Sequence, residues 1–192
     1  MGYKYAINSD CVKAGTKRRP GSKRPHTLFV VAHDTGNPDS IATGNIGYYK
    51  NSANDQHASA HYFVDDKPIL KYIPRGKVAY HVIYDMTTDN LQFGDDANDA
   101  AVGVELCYDS KIDMKEVYAQ YVWLIAYLLK TDKLSADKVV GHFELDPARK
   151  VYPLVKRWRK PSPVARRKSR WNTYDSHPLT RFGHCSLNAR RE

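Results

Sequence analysis

No run of apolar residues in this 192-residue chain is long enough to cross a bilayer: the longest, Tyr121 to Leu129, falls far below the roughly 20 residues a membrane helix needs. A transmembrane helix is therefore excluded. Cysteine is scarce as well. Cys11, Cys107 and Cys185 are odd in number, far apart and in no CxxC pattern, which excludes a complete disulfide framework and a zinc finger and fits synthesis in a reducing compartment. The opening residues, MGYKYAINSDC, lack the apolar stretch of a secretory signal, and Ala6 stands where a myristoylation motif has Ser or Thr. The expectation is a protein made in the cytoplasm without a signal peptide. No internal repeat is found.

What the chain has in excess is positive charge, and it is unevenly placed. The formal charge is +9 and the pI about 9.4, a balance that by itself suggests an anionic partner. From Arg149 to the end there are thirteen Lys and Arg against two acids, a formal +11; the residues before carry seventeen against nineteen, or −2. A near-neutral body has no electrostatic reason to lie along a phosphate backbone, so no nucleic-acid partner is expected. The length allows one domain with a core, expected over residues 1–160, and a basic tail over 161–192. That tail has no sustained period of 2 or 3.6 and several prolines, and it reads as poorly ordered.

Within the body, strands and helices interleave. Residues 1–26 read as a loop entry. Thr27 to Ala32 (TLFVVA) fits a buried strand that leads into His33-Asp34-Thr35-Gly36, and Ile41 to Tyr49 has loosely helical spacing. Ala58 to Val64 and Pro68 to Ile73, separated by Asp65-Asp66-Lys67, predict a hairpin; Val78 to Val82 and Ala101 to Tyr108 predict two further strands. Between these last two lies TTDNLQFGDDANDA, which reads as a long surface loop. Met114 to Lys130 is the clearest helix: Val117, Tyr121, Leu124, Ile125, Leu128 and Leu129 form an apolar stripe, with Asp113 as N-cap and Glu116 completing a variant capping box. Lys138 to Gly141 predicts a short strand feeding His142. The fold class is α/β: a central mixed β-sheet flanked by helices, in one domain with a cleft, plus the tail.

Taken singly, His33, His61, His81 and His142 are each more often hydrogen-bonded structural residues than ligands. Position changes that. His33 and His142 follow predicted strands in Gly-flanked contexts, VVAHDTG and VVGHFELDP, where strand ends can converge on one site.

Five segments in register, VAHDTGNPDS, NSANDQHASAHYFVDD, VAYHVIYDMTTDN, FGDDANDAAVGVELCY and GHFELDPARK, make the chain resemble the zinc-dependent N-acetylmuramoyl-L-alanine amidases of phage endolysins, Bacillus cell-wall amidases and peptidoglycan recognition proteins. The resemblance spans roughly residues 10 to 155. It implies hydrolysis of the amide between the lactyl group of N-acetylmuramic acid and the L-alanine of the stem peptide by water activated on Zn2+, which lowers the pKa of that water to about 7 and polarises the carbonyl. It implies that His33 and His142 are zinc ligands, that Glu105 handles the proton, that Lys150 faces the developing oxyanion and that His81 lines the substrate cleft. His61 is expected to be structural. The implied partners are the stem peptide and muramic acid of peptidoglycan, with anionic wall polymers as a further partner for the tail. The implied setting is a phage or prophage lysin that acts on the cell wall after release.

One position departs from the pattern. The third zinc ligand is expected in the context lysine, small residue, aspartate, proline, and the chain reads Lys150-Val151-Tyr152-Pro153. A carboxylate is an anion at pH 7 and a phenol of pKa near 10 is not, so the exchange removes a charge the dication needs. Asp146, which caps a turn at Asp146-Pro147, is an imperfect substitute. Two readings stay open: a hydrolase, or a muropeptide-binding protein with an impaired metal site. Two explanations of the C-terminal sequence stay open beside them, a change of reading frame after Lys150 and a genuine basic tail.

Overall fold

The computed structural model describes residues 4–51, 57–84 and 91–147. Six strands form one mixed sheet: β1 (Ile7–Ser9), β2 (Phe29–Asp34), β3 (Tyr62–Val64), β4 (Ile69–Lys71), β5 (Ala101–Leu106) and β6 (Val139–Gly141), in the order β1-β4-β3-β5-β2-β6. Only β3 and β4 pair antiparallel, as the hairpin expected around Asp65-Asp66-Lys67; every other neighbouring pair is parallel. Among the described residues the helices with defined bounds are α1 (Ala42–Asn51), α2 (Ala97–Ala100), α3 (Met114–Asp132) and α4 (His142–Leu145), with a short 3-10 turn at Ala136–Lys138.

Strand alternation sorts the side chains onto two faces. On one, Val30, Tyr62, Val64, Val102, Val104 and Leu106 meet Val117, Tyr121, Leu124 and Leu128, the predicted stripe of α3. On the other, Phe29 and Val31 pack with Ala97, Ala100, Val140 and Leu145, while Phe63, Ile46 and Tyr72 form a neighbouring cluster under α1. Both faces of the central strands are covered, which is why β2 reads as a nearly continuous apolar run.

The ends of α3 follow local chemistry. Asp113 accepts from the N–H groups of Lys115 (2.9 Å) and Glu116 (3.4 Å), and Lys133 closes the helix in the left-handed conformation at φ 57°. The expected capping box is completed differently, because the Asp113 N–H donates to Asp66 Oδ2 (3.2 Å) from the β3–β4 turn. Asp65, next to it and buried, accepts from the Ala42 N–H at the start of α1 (2.9 Å) and from Lys67 N–H (2.9 Å). One acidic turn thus ties two helices to the sheet.

Three expectations are corrected. β1 lies inside the stretch read as a loop entry; its parallel pairing with β4 is a long-range contact that a three-residue segment does not announce. Val78 to Val82 is not a strand: the Val78 N–H donates to Ser22 O, and those of His81 and Val82 go to the side chain of Asn98. The segment read as surface loop contains α2, with Asn98 fully buried. The tail over 161–192 lies outside the described residues.

Under the sheet's central seam, the buried Tyr121 hydroxyl lies 3.0 Å from His33 O and 3.1 Å from Val104 O, the carbonyls of two adjacent strands, and donates its one proton between them. Tyr121→Phe leaves both carbonyls without that donor, so urea denaturation is expected to show a loss of roughly 1–3 kcal/mol.

Candidate active site

His142, His33 and Glu105 come together along one row across the sheet. β2 and β5 pair in parallel with His33 opposite Glu105, β5 and β3 pair with Glu105 opposite Phe63, and β6 ends at Gly141 opposite Ala32, which sets His142 beside His33. The His33 and His142 rings lie 4.5 Å apart between centroids at 71°, and His33 Nδ1 lies 3.9 Å from Glu105 Oε1. The side chains of His33 and Glu105 are only 3% and 12% exposed. Residues 33, 105 and 142, distant in sequence, share one end of the parallel strands, where open α/β sheets place their ligands.

His142 opens α4. The Gly141 N–H donates to Glu144 Oε2 (2.8 Å), which holds the first turn, and a Cβ at Gly141 would run into the ring of Phe143. A side chain at position 141 would require the Phe143 ring to move.

His81 lies behind His33. Its Nδ1 is 3.1 Å from His33 Nε2, and burial, followed by the neighbouring His142 and Arg24, pushes its pKa down to about 3. His61, fully buried, accepts from the Gly103 N–H on Nδ1 (3.0 Å) and donates from Nε2 to Lys77 O (2.9 Å), so its tautomer is fixed; burial drives its pKa well below 6.5. It is the structural histidine the sequence suggested by context. Gly103 carries no side chain for a reason: a Cβ there would stand 2.6 Å from the Cγ of His81.

The charge of Glu105 reaches its neighbours. Burial pushes up the phenols of Tyr49 and Tyr121 and the thiol of Cys107, and in each case the Glu105 carboxylate is the next largest influence in the same direction.

Residues that sequence reasoning did not mark are Asn98, Gly103 and Tyr121. Asn98 accepts the N–H groups of His81 (2.8 Å) and Val82 (3.1 Å) and donates to Val82 O (3.1 Å), closing a ring of hydrogen bonds around the His81 backbone. Its signal was only its place in a polar segment. Lys150 and Tyr152 lie outside the described residues. Among the described residues no group of three or more His, Cys, Asp or Glu is placed to hold a metal ion, so His33 and His142 stand as a pair of candidate ligands.

A family model described as N-acetylmuramoyl-L-alanine amidase matches residues 22–163, a segment that contains this whole row. The chain belongs to the N-acetylmuramoyl-L-alanine amidase family. It is 35% identical over 143 residues to a probable N-acetylmuramoyl-L-alanine amidase of Bacillus licheniformis, covering 72% of this chain and 40% of that protein. To the amidase CwlL of the same organism it is 31% identical over 139 residues, covering 70% of this chain and 38% of the relative. The chain thus spans about two fifths of the length of these amidases. Its fold matches the catalytic domain of XlyA with a TM-score of 0.65 at 25% identity, covering 79% of this chain and 94% of that domain. The amidase fold expected from the sequence is the fold observed.

Neutral buried histidines make stability depend on pH. His61 and His81 take up a proton in the unfolded chain near pH 6.5 but resist it when folded, so stability is full above that pH and falls below it. In metal-free protein, urea titrations at pH 7.5 and 5.5 are expected to differ by about 1.4 kcal/mol per histidine, the lower pH being less stable. A profile flat over this interval contradicts their neutrality in the fold.

Proposed function

We propose that this chain is a peptidoglycan hydrolase that cleaves the amide between the lactyl group of N-acetylmuramic acid and the L-alanine of the stem peptide. The observation that carries the reading is the row His142, His33, Glu105 on adjacent strand ends, within the segment that matches the amidase family. Two imidazoles at 4.5 Å beside a largely buried carboxylate suit a borderline-soft dication, and His33 and His142 are proposed to hold Zn2+. When bound, zinc supplies an electrophile for the amide carbonyl and lowers the pKa of water.

The chain's own residues do the rest. Glu105, with Oε1 facing His33, accepts a proton from the attacking water and passes it to the leaving amine of L-alanine. The covering of the sheet on this face keeps the row water-poor, which strengthens each charge interaction in it. Lys150 is proposed to face the oxyanion and His81 to line the substrate cleft, with its ring Nδ1 3.1 Å from His33 Nε2. The setting proposed is that of a lysin acting on the cell wall. In its favour, a structure described as a mutant endolysin from Bacillus subtilis shares this fold at 25% identity with a TM-score of 0.65, over 80% of this chain and 94% of that one. Among the described residues no helix is long and apolar enough to cross a membrane. Anionic wall polymers are the proposed partner of the basic C-terminal sequence.

A second reading is favoured by one observation: Tyr152 stands where an aspartate ligand is expected. Under it, the same cleft binds muropeptide without cutting. Zinc content and release of free amino termini from purified peptidoglycan, measured on the chain as it is and on Tyr152→Asp, separate the two. Release by the unaltered chain supports the hydrolase; binding of muropeptide without release, with activity gained in Tyr152→Asp, supports the binding protein. For an active chain, Glu105→Gln is expected to lower kcat by about 10²–10⁴ while zinc content is kept. His33→Ala is expected to lose zinc and activity together.

A further inference from the structure

The contact between His33 and His81 has a chemical direction. The hydrogen bond between His33 Nε2 and His81 Nδ1, 3.1 Å long, can run in either direction according to the tautomers of the two rings. In one, His81 Nδ1–H donates to His33 Nε2, which spends that lone pair and places the His33 proton on Nδ1. In the other, His33 Nε2–H donates to His81 Nδ1, and His33 Nδ1 carries the lone pair on the side of Glu105, whose Oε1 is 3.9 Å away. The second turns the Nδ1 lone pair of His33 toward a cation held beside Glu105.

We infer that His81 is a positioning residue, which accepts the His33 Nε2 proton and thereby fixes the ring and tautomer of His33 with Nδ1 as its metal-binding atom. The inference rests on the proposed zinc site. Three features of the fold serve this contact. The His81 and Val82 amides are clamped by the buried Asn98 side chain, which sets where the ring emanates from the backbone. Gly103 leaves the space the ring occupies, and His61 hydrogen-bonds Gly103 through its ring Nδ1 and its backbone N–H. The two rings meet nearly edge to face, at 88°, with both residues under a tenth exposed. Partners on the far nitrogen of a ligand histidine set its orientation and basicity, and their loss commonly weakens metal binding 10–100-fold.

Long-range proton–nitrogen correlation on metal-free, nitrogen-15-labelled protein reports the His33 tautomer directly. Nε2–H is expected; Nδ1–H overturns the inference. Zinc affinity is then measured by competition with a chromophoric chelator for the wild type, His81→Phe and His81→Asn. The phenyl ring fills the space but accepts no proton, whereas the asparagine amide oxygen can stand near the lost Nδ1. His81→Phe is expected to bind zinc about 10–100-fold more weakly and His81→Asn within about threefold of the wild type. A folded His81→Phe protein with wild-type affinity overturns the assignment, and should that variant not fold, the wild-type tautomer and His81→Asn decide it. A wild-type chain that takes up no zinc counts against the zinc site itself; that failure is separate, because the tautomer is read with no metal present.

Discussion

The parallel pairing of β2 with β5 is the contact on which the rest of the molecule depends. It sets His33 opposite Glu105 and fixes which residues of each strand face α3 and which face the site. Because side chains alternate along a strand, a slip of one residue would send Val104 to the site and Glu105 into the apolar layer beneath α3. The hydrophobic packing of Val30, Val102 and Val104 on that helix therefore holds the register of His33 against Glu105 as well as the fold. Tyr121 joins the two roles, since its aromatic body is part of the core and its hydroxyl lies against carbonyls of both strands.

A second constraint is burial. Histidine is a surface-tolerant residue, yet His33, His61 and His81 are each less than a tenth exposed. Each has a defined partner, and the partners form a chain: Lys77 and Gly103 hold His61, Asn98 holds the His81 backbone, and His81 meets His33. Rigidity at the site comes from this polar network, in which every arrangement depends on the next. The network lies within the segment that matches the amidase family, and the hydrolysis proposed for it needs groups that do not reorganise as charge develops.

Much of this was legible in the sequence, for local reasons. Strands β2 and β5 announce themselves as short apolar runs, α3 by its stripe and the Asp113 cap, and His33 and His142 by standing at strand ends beside glycines. Glu105 was marked by the resemblance, and a carboxylate in an apolar strand is costly to place without a partner. The parts that were not legible are long-range. β1 is a strand only because β4 lies beside it. The extended run Val78 to Val82 looks like a strand but gives its amides to Ser22 and Asn98 instead of a neighbour. Asn98 itself sits in a polar segment that resembles any surface loop, and its burial follows from the packing of α2 against β2 and β6. The ring of His81 could be aligned with a cleft from sequence, but its turn toward His33 depends on the missing Cβ of Gly103, a contact between residues 22 positions apart.

His33, His142 and Glu105 are proposed to act together on one particular amide. Mass spectrometry of the soluble products from purified peptidoglycan tests it most directly. The account predicts stem peptides that begin with a free L-alanine amino group, and glycan strands whose muramic acid lactyl groups end in free carboxylates. Products cut within the glycan, or within the stem peptide with its L-alanine still joined to muramic acid, would contradict it.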